Sequence, residues 1–184
     1  MRLPGQCASC KAIVPPYKIM RSWLVFEGPI RQALHTLKYR RNVALGEALA
    51  QHLAGYVASL GWPVEAVVPI PLGKERMKER GYNQTGLVAM PLAAIQHWHY
   101  LPRALTRCRE TKTQVGLTAI ERKENVKGAF RAETKLVRGK NFLLMDDVAT
   151  TGATLAAGAA ALMDAGARSV YGLTLARALA YQYL

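Results

Sequence analysis

Residues 142–154 constrain this chain more than any other stretch. Phe142-Leu143-Leu144-Met145 is an apolar run, Asp146-Asp147 are adjacent carboxylates, and Val148-Ala149-Thr150-Thr151-Gly152-Ala153-Thr154 is rich in small and hydroxyl-bearing residues. Residues 142–145 read as a strand, 146–154 as a polar turn, and 155–165 as an Ala-rich helix stopped by Gly166; Ser169–Leu175 supplies a second strand. Strand, helix and strand in this rhythm make a βαβ unit, and parallel strands are the ones that need a crossover of this length. Parallel sheets occur with helices over both faces, so the expected class is α/β.

The rest of the chain is consistent with one such domain and a small appendage. Residues 1–22 are Pro-rich and basic without clear periodicity and read as an irregular lead-in. Gly28-Pro29 opens an amphipathic segment with Ile30, Leu34 and Leu37 on one face. Leu45, Leu49, Leu53, Tyr56 and Leu60 recur at helical spacing, so 44–60 is a helix ended by Gly61 and Pro63. The β-branched run 66–70 is a buried strand, 83–96 is a helix, and strands are expected near 104–107 and 128–132.

Composition excludes several classes. In 184 residues 51% are hydrophobic and 20% charged, the balance of a folded domain rather than a disordered one. No apolar run is long enough to span a membrane, and residues 1–5 lack the apolar core of a signal peptide. Three cysteines are no disulfide framework, so a cytoplasmic protein is expected.

The net charge of +13 is unevenly placed. Lys and Arg crowd into 2–41, 74–80 and 103–140, and none occurs in 42–73 or 141–167. Solubility calls for dispersed charge; clustering suits a surface that meets phosphate or nucleic acid. Stacking of single-stranded bases needs aromatics among the cations. Tyr39 beside Lys38, Arg40 and Arg41 offers that pattern, as does Tyr82 among Arg80, Asn83 and Gln84; Trp98, between His97 and His99, is a weaker case.

The polar turn carries the chemistry. Its two acids sit where a buried strand ends, the usual ligand position in open α/β sheets. The threonines and Gly152 lead into a helix N-terminus, whose free N–H groups and dipole favour an anion. Acids and an anion cradle oppose each other unless one ligand satisfies both. A ribose 5-phosphate does, with hydroxyls on Asp146 and Asp147 and phosphate in the turn. A capped strand end is the simpler alternative, but a cap needs one hydroxyl rather than two acids and three threonines. Neither Gly-x-x-x-x-Gly-Lys-Ser/Thr nor Gly-x-Gly-x-x-Gly occurs.

Residues 142–154 closely resemble the 5-phosphoribosyl pyrophosphate (PRPP) signature of type I phosphoribosyltransferases. Further landmarks are similar to the ComF family of competence-associated proteins. They are Cys7-x-x-Cys10, Gly28-Pro29-Ile30-Arg31, Leu37-Lys38-Tyr39, Val68-Pro69-Ile70-Pro71, Arg80-Gly81-Tyr82-Asn83-Gln84, Thr113-Gln114 with Leu117, and Arg122 with Asn125 and Gly128-Ala129-Phe130. The resemblance implies a type I phosphoribosyltransferase-like fold, an open and mainly parallel sheet flanked by helices. That domain would span 28–184, after an irregular Cys-x-x-Cys segment at 1–27. It implies that Asp146 and Asp147 hold the ribose hydroxyls while Thr150, Thr151, Gly152, Ala153 and Thr154 hold the 5-phosphate. Pro71, Leu72, Gly73 and Lys74 would form the pyrophosphate loop, and Arg76, Arg80 or Lys112 would act on the departing pyrophosphate. Mg²⁺ would accompany PRPP, held mainly by the ligand's own oxygens.

The same resemblance points to single-stranded DNA handling during natural transformation, beside competence or DNA-processing proteins. An active transferase for a nucleobase or small amine, and a non-catalytic interaction module, stay open beside it, because no segment reads as a nucleobase pocket. Cys7 and Cys10 have zinc-knuckle spacing but make half a ligand set. Proteins similar to this one often carry two such pairs before the Gly-Pro segment. Cys108, His35 or a second chain could complete the set.

Overall fold

The computed structural model describes residues 14–109 and 119–179. A five-stranded, all-parallel sheet forms its centre, in the order β1-β7-β6-β2-β3. Its strands are β1 (Ile19–Val25), β2 (Ala66–Pro69), β3 (His99–Tyr100), β6 (Asn141–Ala149) and β7 (Ser169–Arg177). A separate antiparallel pair joins β4 (Leu105–Arg107) to β5 (Phe130–Ala132). The helices are α1 (Gly28–Arg40), α2 (Val43–Ser59), α3 (Lys74–Arg80), α4 (Gln84–Ile95), α5 (Ala119–Val126), α6 (Thr134–Val137) and α7 (Ala153–Asp164). Among the described residues no helix is long and apolar enough to cross a membrane.

Two cores lie on opposite faces of the sheet. Leu34, Leu37, Leu53, Val57, Val88 and Leu92 of α1, α2 and α4 cluster with Leu143 and Met145 of β6. Leu155 and Leu162 of α7, with Leu105 and Phe130 of the β4–β5 pair, cluster with Phe142 and Leu144. Successive strand residues point to opposite faces, so four apolar residues in a row seal both cores at once. Such a run without alternation is what a strand covered on both sides requires.

The structure corrects several sequence expectations. Residues 19–25 are a strand rather than part of an irregular lead-in, and they pair with β7 from Ile19↔Tyr171 to Val25↔Arg177. The sheet therefore begins before residue 28. Weak periodicity hid β1: it carries Arg21 and Ser22 amid its apolar residues and lies at an edge of the sheet. The strand read as 142–145 continues to Ala149, so both acids are still in extended backbone. The basic segment at 74–80 is a helix, and β3, α5 and α6 are short elements without a clear periodic signal. Cys7, Cys10 and Lys112 lie outside the described residues.

Helices α2 and α4 meet through a glycine and a proline. Pro91 lies inside α4 and has no N–H for the carbonyl of Leu87, four residues earlier. That oxygen faces α2, where a Cβ on Gly46 would lie 2.5 Å from it.

Candidate ribose-phosphate site

Strand parity sends the two acids apart. Asp146 continues the Phe142 and Leu144 side and, with residues 148–155, lines a small open hollow before α7. Asp147 continues the Leu143 and Met145 side and is buried. Its Oδ2 lies 3.0 Å from Lys38 Nζ and accepts from Gln84 Nε2 at 3.1 Å, while Oδ1 accepts from the Val148 N–H at 2.7 Å. The Asp147 N–H donates back to Asp146 Oδ1 at 2.9 Å. Adjacent in sequence, the carboxylates have different surroundings.

Their protonation differs accordingly. Burial, then the neighbouring Asp147 charge, pushes the Asp146 carboxyl up to about 8. Burial acts on Asp147 in the same direction, but the Lys38 ammonium and hydrogen bonds from Lys38, Gln84 and the Val148 N–H outweigh it. They hold that carboxyl below its ordinary value. Two near carboxylates with separated affinities for a proton are a common functional pattern, shared with structural ion-pair networks.

The turn after β6 is formed without lysine or arginine. Gly152 has φ +79°, a left-handed conformation open to glycine, and it precedes α7 at the N-cap position. A Cβ there would lie 3.2 Å from Met20 Sδ of β1, so the edge strand supports the turn from behind. The Thr151 hydroxyl accepts from the Ala153 N–H at 3.3 Å, and Thr151 is exposed while Thr150 and Thr154 are partly so. Beside the acids on β7, buried Thr174 registers with Asp146 and shares a 2.7 Å hydrogen bond with Ser22. Backbone N–H groups at the start of α7 and an acid at the strand end thus share one hollow. This arrangement can take a ligand with hydroxyls at one end and an anion at the other.

Pro71, Leu72 and Gly73 form the connection from β2 to α3, beside Ile70, whose N–H donates to Met145 O at 2.8 Å. Lys74 is the first residue of α3 and Arg76 is exposed on it.

The segment 80–84 is tied into the protein. Tyr82 Oη donates to the Leu37 carbonyl at 2.7 Å and accepts from the Arg41 N–H at 2.8 Å, closing the end of α1 where Arg41 turns left-handed. Asn83 Nδ2 donates to the Ile70 carbonyl at 2.8 Å, and its Oδ1 caps α4 by accepting from the Thr85 and Gly86 N–H groups. Gln84 is buried against Asp147 and accepts from Arg80 Nη1 at 2.9 Å. Tyr82, Asn83 and Gln84, the sequence candidates for nucleic-acid contact, thus make polar contacts within the fold. Sequence reasoning missed the pairing of Gln84 and Lys38 with Asp147, because residues 38, 84 and 147 meet only through three elements.

A basic face remains. Tyr39 is 62% exposed, packs 4.7 Å from the His35 ring and carries the Arg80 guanidinium 5.6 Å above its own. Arg40 and Arg41 are exposed beside it. Buried Arg80 Nε has no hydrogen-bond partner among the described residues. Trp98, by contrast, packs on the core of α1, α2 and α4. Cys108 is free and exposed, and its Sγ lies 3.5 Å from the Gly128 carbonyl. Among the described residues no three His, Cys, Asp or Glu side chains gather as a metal cluster.

No family model matches the chain. It is 35% identical over 179 residues to the DNA utilization protein YhgH of Escherichia coli K12, covering 94% of this chain and 78% of that protein. Competence protein F of Haemophilus influenzae is 37% identical over 184 residues, covering 94% and 78%. Competence protein ComFC of Bacillus subtilis is 31% identical over 160 residues, covering 85% and 63%. Among solved structures, the glutamine PRPP amidotransferase of B. subtilis, complexed with ADP and GMP, gives a TM-score of 0.46 at 19% identity. It covers 78% of this chain and 26% of that one. With identities above 30% along nearly its whole length, the chain belongs to the ComF family, the family of competence protein F and YhgH.

Proposed function

We propose that this protein binds PRPP at residues 146–154 and works with single-stranded DNA during DNA uptake. One observation carries the first half: an acid at the end of a central parallel strand and a helix N-terminus face one hollow across a left-handed glycine. The ribose hydroxyls would donate to Asp146 and to the remaining lone pair of Asp147 Oδ1. The 5-phosphate would lie in the turn of residues 150–154, taking N–H groups at the start of α7 in place of the 3.3 Å contact between the Ala153 N–H and the Thr151 hydroxyl. Mg²⁺ would accompany PRPP, held mainly by the oxygens of the ligand itself. That ion would neutralise pyrophosphate charge.

The second half draws on the family's DNA-related names and on the exposed face of Tyr39, Arg40 and Arg41. Arg76, with Lys74 at the start of α3, is the described cation set for the pyrophosphate end. Arg80 bears on the site through Gln84. Turnover to an acceptor is a separate step, read by pyrophosphate release against a panel of bases and amines.

Calorimetric titration with PRPP and Mg²⁺ tests the site. Asp146→Asn with Asp147→Asn should weaken binding at least about tenfold, since a hydroxyl donated to the ionised Asp147 carboxylate makes a charge-assisted bond worth about 1.5–3 kcal/mol. Undiminished affinity in the double variant would end the ribose assignment. Labelled oligothymidylate binding that falls steeply with salt supports the DNA role, and no binding at low salt defeats it.

A further inference from the structure

The acid site and the basic face meet at one side chain. Lys38 follows buried Leu37 and precedes exposed Tyr39 on the last turn of α1. Its ammonium sits on Asp147, yet 27% of the side chain remains exposed. Asp147 leads through Gln84 to Arg80, and Arg80 lies over Tyr39, so the circuit returns to the residue beside Lys38. Lys38 is the cation within ion-pair distance of Asp147 among the described residues.

We infer that Lys38 is shared between the two sites, so that an oligonucleotide on the Tyr39 face and a phosphorylated ribose at the acids weaken each other's binding. The inference rests on the reading given under Proposed function. Its sign follows from charge. A phosphodiester beside Tyr39, Arg40 and Arg41 draws the ammonium outward on its flexible stem. Asp147 then keeps its burial but loses its counter-ion, an arrangement that is costly for a carboxylate. A ribose hydroxyl that donates to Asp147 favours the opposite state, in which Lys38 stays on that carboxylate and holds it in place. Two polyanions held near each other add repulsion of the same sign. Linkage makes the effect equal in both directions.

Anisotropy of a labelled oligothymidylate, at matched low ionic strength and fixed Mg²⁺, gives its affinity with and without saturating PRPP. Calorimetry gives PRPP affinity with and without unlabelled oligonucleotide. The wild-type protein should lose about fivefold or more each way, the lower end of ordinary coupling. Lys38→Met should bring the factor toward one, and Lys38→Arg should keep most of it. Should Lys38→Met fold poorly, Lys38→Met with Asp147→Asn removes both charges and should also bring the factor toward one. Unchanged or tighter oligonucleotide binding, in wild-type protein that calorimetry shows to bind PRPP, overturns the coupling. An undiminished factor in Lys38→Met, or in its double variant with Asp147→Asn, overturns the assignment to Lys38. Absence of calorimetric PRPP binding to the wild type overturns the ribose-phosphate reading itself, and the coupling with it.

Discussion

Asp146 and Asp147 are neighbours in sequence, joined by a 2.9 Å bond from the Asp147 N–H to Asp146 Oδ1, yet their carboxylates serve opposite faces of the sheet. Asp146 faces the hollow before α7, while Asp147 meets Lys38 and Gln84 under α1 and α4. Asp146 thereby lines the hollow directly, while the Asp147 carboxylate is held in place by side chains from α1 and α4.

The Lys38–Asp147 pair should behave as a coupled unit in stability. Lys38→Met alone strands a buried carboxylate and should cost about 1–3 kcal/mol, below the fully buried range because the lysine is partly exposed. Adding Asp147→Asn should recover part of that loss. Urea midpoints of the two single variants and the double variant give the interaction energy. Simple additivity would mean that the pair contributes nothing.

Asp146 predicts a pH dependence. Its carboxyl moves from an ordinary value of 3.8 to about 8 in the fold, so the folded state holds that proton more tightly. Its contribution is fully present below the lower value and is lost as pH rises through the upper one. Asp147 works oppositely: its contribution stands at neutral pH and fades as acid protonates it. Asp146→Asn should therefore gain stability relative to wild type between about pH 5 and pH 8.5. A difference in unfolding free energy that stays flat over that interval contradicts the assignment.

Two glycines should differ in what they tolerate. Gly46→Ala puts a Cβ 2.5 Å from the Leu87 backbone oxygen, which cannot move without shifting α4, so a loss of about 3 kcal/mol or more is expected. Gly152→Ala meets a flexible methionine at 3.2 Å and pays mainly for its left-handed φ, about 1–2 kcal/mol. Thermal or urea unfolding ranks them. Only Gly152→Ala should also weaken PRPP binding.

The two tyrosines of the basic region should separate folding from binding. Tyr82→Phe removes the hydroxyl joining Leu37 O and Arg41 N–H, and should lower stability by about 1–2 kcal/mol. Tyr39→Ala touches little of the core and should instead weaken oligonucleotide binding, by about 1–3 kcal/mol if a base stacks there. Equal oligonucleotide affinity for Tyr39→Ala and wild type would remove Tyr39 from the interface.

Much of the architecture was legible because it rests on local rules. The βαβ unit at 142–175, the amphipathic segment opened by Gly28-Pro29, the helices read at 44–60 and 83–96 and the strand read at 66–70 announce themselves through runs, period and breakers, and lie within a residue of the observed Val43–Ser59, Gln84–Ile95 and Ala66–Pro69. Strand β1 did not, since an edge strand need not be continuously apolar. The end of β6 was misplaced because Asp146 and Asp147 look like turn residues, whereas pairing with β7 carries the extended backbone through to Ala149.

The sequence by itself determined the parallel α/β design, the acidic strand end, the glycine turn and the separation of positive charge from residues 141–167. Those depend on periodicity, residue chemistry and distance along the chain. Only the tertiary structure decided what each polar group touches. It gave Asp147 to Lys38 and Gln84, Tyr82 to the end of α1, and Asn83 to Ile70 and the start of α4. The physical reason is that an ion pair or hydrogen bond acts over about 3 Å. Residues 38, 84 and 147 come that close only after α1, α4 and β6 have packed.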